Sequence, residues 1–193
     1  MTSDATFDKL KRHLRAAGFF GCQRGLAALE FALIAPVMVF MFFAIVEGAD
    51  ALTASRRMTL AANTLADLVA QEAQITTSEL NGLFRGVELI SGADDNDIDF
   101  TVVSVVFDPD DNRVEVAWSL DDDGGAPYAA DTPYTNLPDD TLLDSASSLI
   151  VAETAYDYTS ELSKVLVQSI RMERTATRWP RQVTEVRYCG PSC

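Results

Sequence analysis

The sequence predicts an α+β fold in which a single N-terminal transmembrane helix continues into an amphipathic helix packed on an antiparallel sheet. Three observations carry this expectation. Residues 26–46 form a dense apolar run, helical spacing continues past it, and from residue 98 the apolar residues recur with strand periods. At 193 residues the chain can hold one domain beside an anchor.

The apolar run, LAALEFALIAPVMVFMFFAIV, holds one ionisable residue, Glu30. About 20 helical residues, each rising ~1.5 Å, cross a hydrocarbon layer of ~30 Å, so this run is long enough to span a lipid bilayer. Charge points the same way. Lys9, Lys11, Arg12, Arg15 and Arg24 oppose Asp4 and Asp8, a net of +3 on residues 1–24, which leaves −17 on residues 25–193 of a chain whose total is −14. A basic flank before the span and an acidic domain after it predict a cytoplasmic N-terminus. The domain plan is therefore a basic cytoplasmic leader over 1–25, a transmembrane helix over 26–46, and an exported α+β domain with acidic loops over 47–193. The acidic bulk argues against nucleic acid as a partner, because phosphates demand Lys and Arg.

Past the span, residues 47–72 keep helical spacing, with Met58, Ala62, Leu65 and Val69 on one face. Thr76-Thr77-Ser78-Glu79 has the spacing of a capping box and opens a second helix, which carries Leu80, Leu83, Phe84 and Val87 on one side and ends near Ser91 and Gly92. Residues 98–107 are β-branched and apolar on both faces, as a central strand requires. Asp108-Pro109-Asp110-Asp111-Asn112 reads as a turn. Val114, Val116, Trp118 and Leu120 then alternate with polar residues, which predicts a hairpin with one wet face. Residues 121–138 hold Gly124, Gly125 and three prolines among acids, and read as a long exposed loop. Ile150, Ala152, Thr154, Tyr156 and Tyr158 mark a third strand, and 165–174 and 183–188 are further strands, separated by Trp179 and Pro180.

The most informative stretch is the junction at Arg24, Gly25 and Leu26. A secretory signal has a shorter apolar region with its small-residue cleavage site behind it. Here the small residue, Gly25, stands before a long run. Glu30 lies five residues later, where an acid in a hydrophobic helix is expected to pair with something. The pattern Arg-Gly-x-Ala-x-x-Glu-Phe-Ala-Leu-Ile-x-Pro, from Arg24 to Pro36, and the exit Ile45-Val46-Glu47-Gly48 resemble the TadE-like minor pilins and pseudopilins of the Tad (Flp, type IV-like) pilus assembly system. The resemblance is strong over about residues 12–70. It implies cutting by a prepilin peptidase between Gly25 and Leu26, which would make Glu30 the fifth residue of the mature chain. It further implies assembly through Glu30 and Phe31. The expected partners are the prepilin peptidase, other Tad pilins, pilus assembly proteins and the lipid bilayer. The expected location is the bacterial inner membrane, single-pass, with the C-terminal domain periplasmic or extracellular. Phe31 stands where the major Flp pilins carry Tyr, and this chain is far longer than those pilins. Both departures favour an accessory subunit over the bulk filament subunit.

Catalytic machinery is hard to assemble from these residues. The one histidine, His13, lies in the leader, which removes Ser-His-Asp, Cys-His and His-based zinc arrangements from the exported domain. No nucleotide-binding glycine pattern occurs. We expect no enzyme, no cofactor and no metal. Asp108, Asp110 and Asn112 have the 1, 3, 5 spacing of a calcium loop, but Arg113 replaces the glycine at position six and Ser119 the glutamate at position twelve, so turn chemistry is the simpler reading. Of three cysteines, Cys22 is in the leader, and Cys189 and Cys193 can close a small disulfide loop in an oxidising compartment. Two other functions compete with the pilin: an uncleaved, signal-anchored envelope binding protein, and an envelope hydrolase working through loop carboxylates. The mature N-terminus separates the first from the pilin, and activity assays of the domain address the second.

Overall fold

The computed structural model describes residues 24–92, 98–137, 143, 148–159 and 169–193. The leader residues 1–23, with His13 and Cys22, lie outside the described residues. The chain divides between Gly48 and Ala49 into two compact units.

Helix α1 spans Arg24–Val69 and runs unbroken through Pro36. No glycine interrupts it between Gly25 and Gly48, and membrane helices tolerate a proline where neighbours re-satisfy the freed carbonyl. In the first unit its large apolar side chains are exposed all round, Leu26, Phe31, Leu33, Phe40 and Ile45 among them.

In the second unit the same helix has a clear inner stripe. Met58, Ala61, Ala62, Leu65, Ala66 and Val69 are buried, at the three- and four-residue steps of one helical face. The chain then forms β1 (Gln74–Ile75), which pairs in parallel with β6 (Arg187–Tyr188). Helix α2, Thr77–Ser91, is framed by its caps. Thr76 and Glu79 exchange hydrogen bonds in a capping box, and Gly92 closes the other end at φ 64°, a left-handed position that glycine reaches without strain. Leu80, Phe84 and Val87 of α2 join the same core as the α1 stripe.

The main sheet holds β2 (Ile98–Asp108), β3 (Arg113–Asp121), β4 (Ser148–Tyr158) and β5 (Ile170–Arg178), antiparallel in the order β3-β2-β4-β5. Strand β2 is interior and apolar on both faces. Ile98, Phe100 and Val102 face the helices, and Val103 and Val105 belong to a second cluster.

Two expectations change here. The alternation of β3 is broken by a bulge: Ser104 pairs with Trp118 but Val105 pairs with Val116, so Ala117 is the additional residue. An extra residue reverses the side to which the strand points. Trp118 and Leu120 therefore enter the helix-side core, whereas Val116 turns to the other cluster. Nor is that other face simply wet. The acidic segment after β3 buries Tyr134, and packs Tyr128 and Leu137, against Val103, Val105, Val116, Leu149 and Val151. It also extends the sheet edge, with Val116 N donating to Thr132 O at 3.0 Å and Tyr134 N to Val114 O at 2.9 Å. Asp123 and Asp131 of the loop are exposed, while its tyrosines form a lid over the second cluster.

Strand β4 lies where the alternation placed it. Strand β5 reaches Arg178, four residues past the expected end, and residues 165–168 lie outside the described residues. Of the strand expected over 183–188 only Arg187–Tyr188 is one. Its neighbour Val186 is buried, and its carbonyl accepts from Trp118 Nε1 at 2.8 Å, so this segment serves the core as a strap.

Candidate functional site

The candidate site is the N-terminal part of α1. Arg24 is the first helical residue and Gly25 the second. A Cβ on Gly25 would meet nothing within 4 Å, so the glycine is not required there by packing. Leu26 and Phe31 are 60% and 69% exposed, and Glu30 is exposed as well. Leu26 and Glu30 are four residues apart, hence on one face about 6 Å apart along the axis. Glu30 is the single ionisable group between Gly25 and Val46. Among the described residues this is the one helix long and apolar enough to cross a membrane, and none of its most apolar 18-residue stretch is buried within the chain. A helix apolar on every side needs lipid or other helices around it.

The remaining candidates sit in the second unit. Cys189 and Cys193 are joined as a disulfide with Cα atoms 5.0 Å apart. The loop they close is tied to its surroundings by backbone bonds, Cys189 N to Ile75 O at 3.0 Å and Thr77 N to Gly190 O at 2.8 Å. It thus braces the start of α2.

The turn with calcium-like spacing is organised otherwise. Asp108 Oδ1 accepts from Asp110 N at 2.9 Å, and Asn112 takes the left-handed position at φ 49°. Carboxylates of Asp108, Asp111 and Glu115 do converge within 4.8 Å of one another. Arg113 pairs with Asp111 at 2.9 Å and with Glu115, and its guanidinium supplies the positive charge a metal would bring. Asp110 lies outside that cluster, and its N–H instead closes the turn on the Asp108 carboxylate.

One polar cluster escaped the sequence reading. Tyr128 and Tyr134 donate their hydroxyls to Glu153, at 2.8 and 2.6 Å, from a loop read as exposed. Burial, then the hydrogen bond to Glu153 and its charge, push Tyr128 up to about 12 and Tyr134 higher still. The signal was present: two aromatic residues recur in a segment otherwise built of acids and small residues.

An exposed helical stretch with one carboxylate in an otherwise apolar surface, followed by an α+β domain, is the pattern of a single-pass membrane protein. The family model described as TadE-like protein matches residues 25–67, which takes in both the exposed and the buried stretch of α1 and agrees with the resemblance read at the junction. The match takes in 43 of 193 residues and makes this stretch of the chain similar to TadE-like proteins. No curated protein and no solved structure matches.

Proposed function

We propose that the protein is a minor pilin or pseudopilin of a Tad-type pilus, inserted in the inner membrane with its N-terminus in the cytoplasm. In this reading a prepilin peptidase cuts between Gly25 and Leu26, and the mature subunit acts structurally, packing through α1 with other pilins and presenting its acidic domain outward. It performs no catalysis. The observation that carries the reading is the exposed apolar stretch of α1, with one carboxylate, Glu30, a turn inside it and a glycine immediately before it. The amino group freed at Leu26 of one subunit can neutralise Glu30 of a neighbour in the low-dielectric bundle, and assembly is what completes that pair.

Intact-mass analysis of the membrane-extracted protein tests it. The mass should lack residues 1–25. Gly25→Ala should impair processing, and since a Cβ at that position has open space, such a defect reports peptidase recognition and not folding. An intact Met1 terminus in cells with an active prepilin peptidase would sink the proposal and favour an uncleaved anchor.

A further inference from the structure

Two features of the second unit are complementary to each other. The first is a cavity of about 550 Å³ between α2 and the turn after β3. Phe84 and Phe100 lie beneath it, nearly fully buried and stacked with centroids 6.0 Å apart, and Leu89, 73% exposed, is the apolar side chain its wall presents. Glu88, Asp122 and Asp123 line it with carboxylates. Asn81 and Arg85 complete the wall, so three acids face one guanidinium. Burial, then repulsion from Asp123 and Asp99, push the Asp122 carboxyl above the usual range, and a cation brought close would relieve that strain.

The second feature is Trp179, 47% exposed at the end of β5 between Arg178 and Arg181. The segment is held firmly: Arg181 N donates to Ala70 O at 2.8 Å, and Arg178 donates to Asn63 Oδ1 at 2.8 Å. Both guanidiniums lean on one carboxylate, Asp67, while their side chains stay 40% and 57% exposed. An indole flanked by half-neutralised arginines matches a cavity with an exposed leucine in its wall and an acidic rim, and tryptophan and arginine are the residues typical of interface anchors.

We infer that this domain docks head to tail on a second copy of the chain, with Trp179 and its two arginines of one copy seated in the Phe84–Phe100 cavity of the next. A single copy cannot close the contact on itself, because β3 and β5 are opposite edges of the sheet. Register adds a stagger. Arg174 lies level with Phe100 through Thr154, and Trp179 is five residues further, roughly 16 Å along the strands. Such a contact is heterologous: each copy keeps a free anchor at one side and a free cavity at the other, which extends an assembly. The inference goes beyond the pilin reading and holds whether or not residues 1–25 are removed.

The test uses the full chain purified in detergent, with differently tagged copies followed by sedimentation and crosslinking. The wild type should form dimers and longer species above the background that α1 contributes in every variant. Trp179→Ala, which removes the anchor, should weaken this association about tenfold or more, as loss of a central aromatic anchor does. Asp122→Lys with Asp123→Lys should do the same from the cavity side. Leu89→Glu is a second cavity variant at an exposed position that folding tolerates. Mixing Trp179→Ala with either cavity variant restores one complete interface, so mixed pairs should form and stop at dimers. Unaltered self-association of Trp179→Ala, failure of the mixture to pair, or a wild type no more associated than its variants would each overturn the inference.

Discussion

Two stretches of one helix set the terms for this molecule. Leu33 in the first is 79% exposed, and Leu65 in the second is fully buried. Hydrophobicity alone does not separate them. What differs is pattern and size. The first stretch carries Phe31, Met38, Phe40, Met41, Phe42 and Phe43 with no polar face, a surface for lipid tails or other helices. The second alternates a stripe rich in alanine, at Ala61, Ala62 and Ala66, with Thr59, Asn63, Thr64 and Asp67. Small residues let a helix approach a sheet closely, and the polar side then meets water or the arginines of β5, as Asn63 meets Arg178. The family match covers both stretches, so the change of surroundings falls inside the matched segment, residues 25–67.

The comparison is most easily broken by the same substitution made twice. Leu65→Ala should destabilise the folded domain by ~2–5 kcal/mol, the usual cost of emptying a buried leucine site. Leu33→Ala should leave the unfolding of that domain unchanged. Thermal or denaturant unfolding of the detergent-solubilised chain, followed by Trp118 fluorescence, measures both. Equal losses would mean that the first stretch is packed within the chain after all.

Glu30 sharpens the comparison from the other side, since it is the polar residue that the first stretch should not contain. If it were merely tolerated, Glu30→Leu would make the span more apolar and leave assembly intact. If it pairs with a neighbour's amino terminus, the variant should insert and still be processed while assembly falls. Removing one member of a buried pair costs ~3–5 kcal/mol, whereas the monomer gains at most ~2.5–3.5 from losing an acid at the bilayer centre, and less near the interface. At the centres of those ranges the net penalty on assembly is about 1 kcal/mol, and it grows as Glu30 lies nearer the interface. Pilus formation and crosslinking to partner pilins, at matched membrane levels, would show it. Normal piliation by a fully processed Glu30→Leu protein would refute the pairing.

How much of this could be read beforehand follows from how local each signal is. The second helix was legible at both ends because its caps are local: Thr76, Glu79 and Gly92 act within one turn of themselves. The interior place of residues 98–107 was legible because Val102 and Val103 need apolar neighbours on both faces. The bulge at Ala117 was not. It depends on which residue of β2 meets Trp118, a pairing that no run of β3 residues contains. The tyrosine lid was missed because acids outnumber aromatics in that loop, although it takes only Tyr128 and Tyr134 to attach it. The pairing of Gln74 and Ile75 with Arg187 and Tyr188 joins segments over a hundred residues apart and leaves no local trace. At the candidate site the opposite holds: Gly25, Leu26 and Glu30 were read from adjacency, and the fold adds chiefly that they are exposed.

The smallest expected effect lies at the cap of α2, whose inner face shares the core with the buried stretch of α1. Thr76 Oγ1 accepts from Glu79 N at 3.3 Å, while Glu79 Oε2 accepts from Thr76 N at 2.8 Å. Thr76→Ala should cost about 1 kcal/mol, the common value for an N-cap at a partly exposed site, and so less than emptying the Leu65 site. The cap also has a pH signature. The backbone and side-chain bonds from Thr76 hold the Glu79 carboxyl below its ordinary value. A depressed carboxyl adds stability above its unfolded pKa, and that contribution is lost as pH falls through the lower folded value. Wild type should therefore lose stability relative to Glu79→Gln as the solution is taken from neutral pH to below the carboxylate range, because the glutamine does not titrate. Unfolding midpoints across that range, with amide exchange in the first turn of α2, read the difference where it arises. A gap between the two proteins that stays constant with pH would show that the Glu79 charge adds nothing to the cap, leaving the Thr76 hydroxyl as its working part.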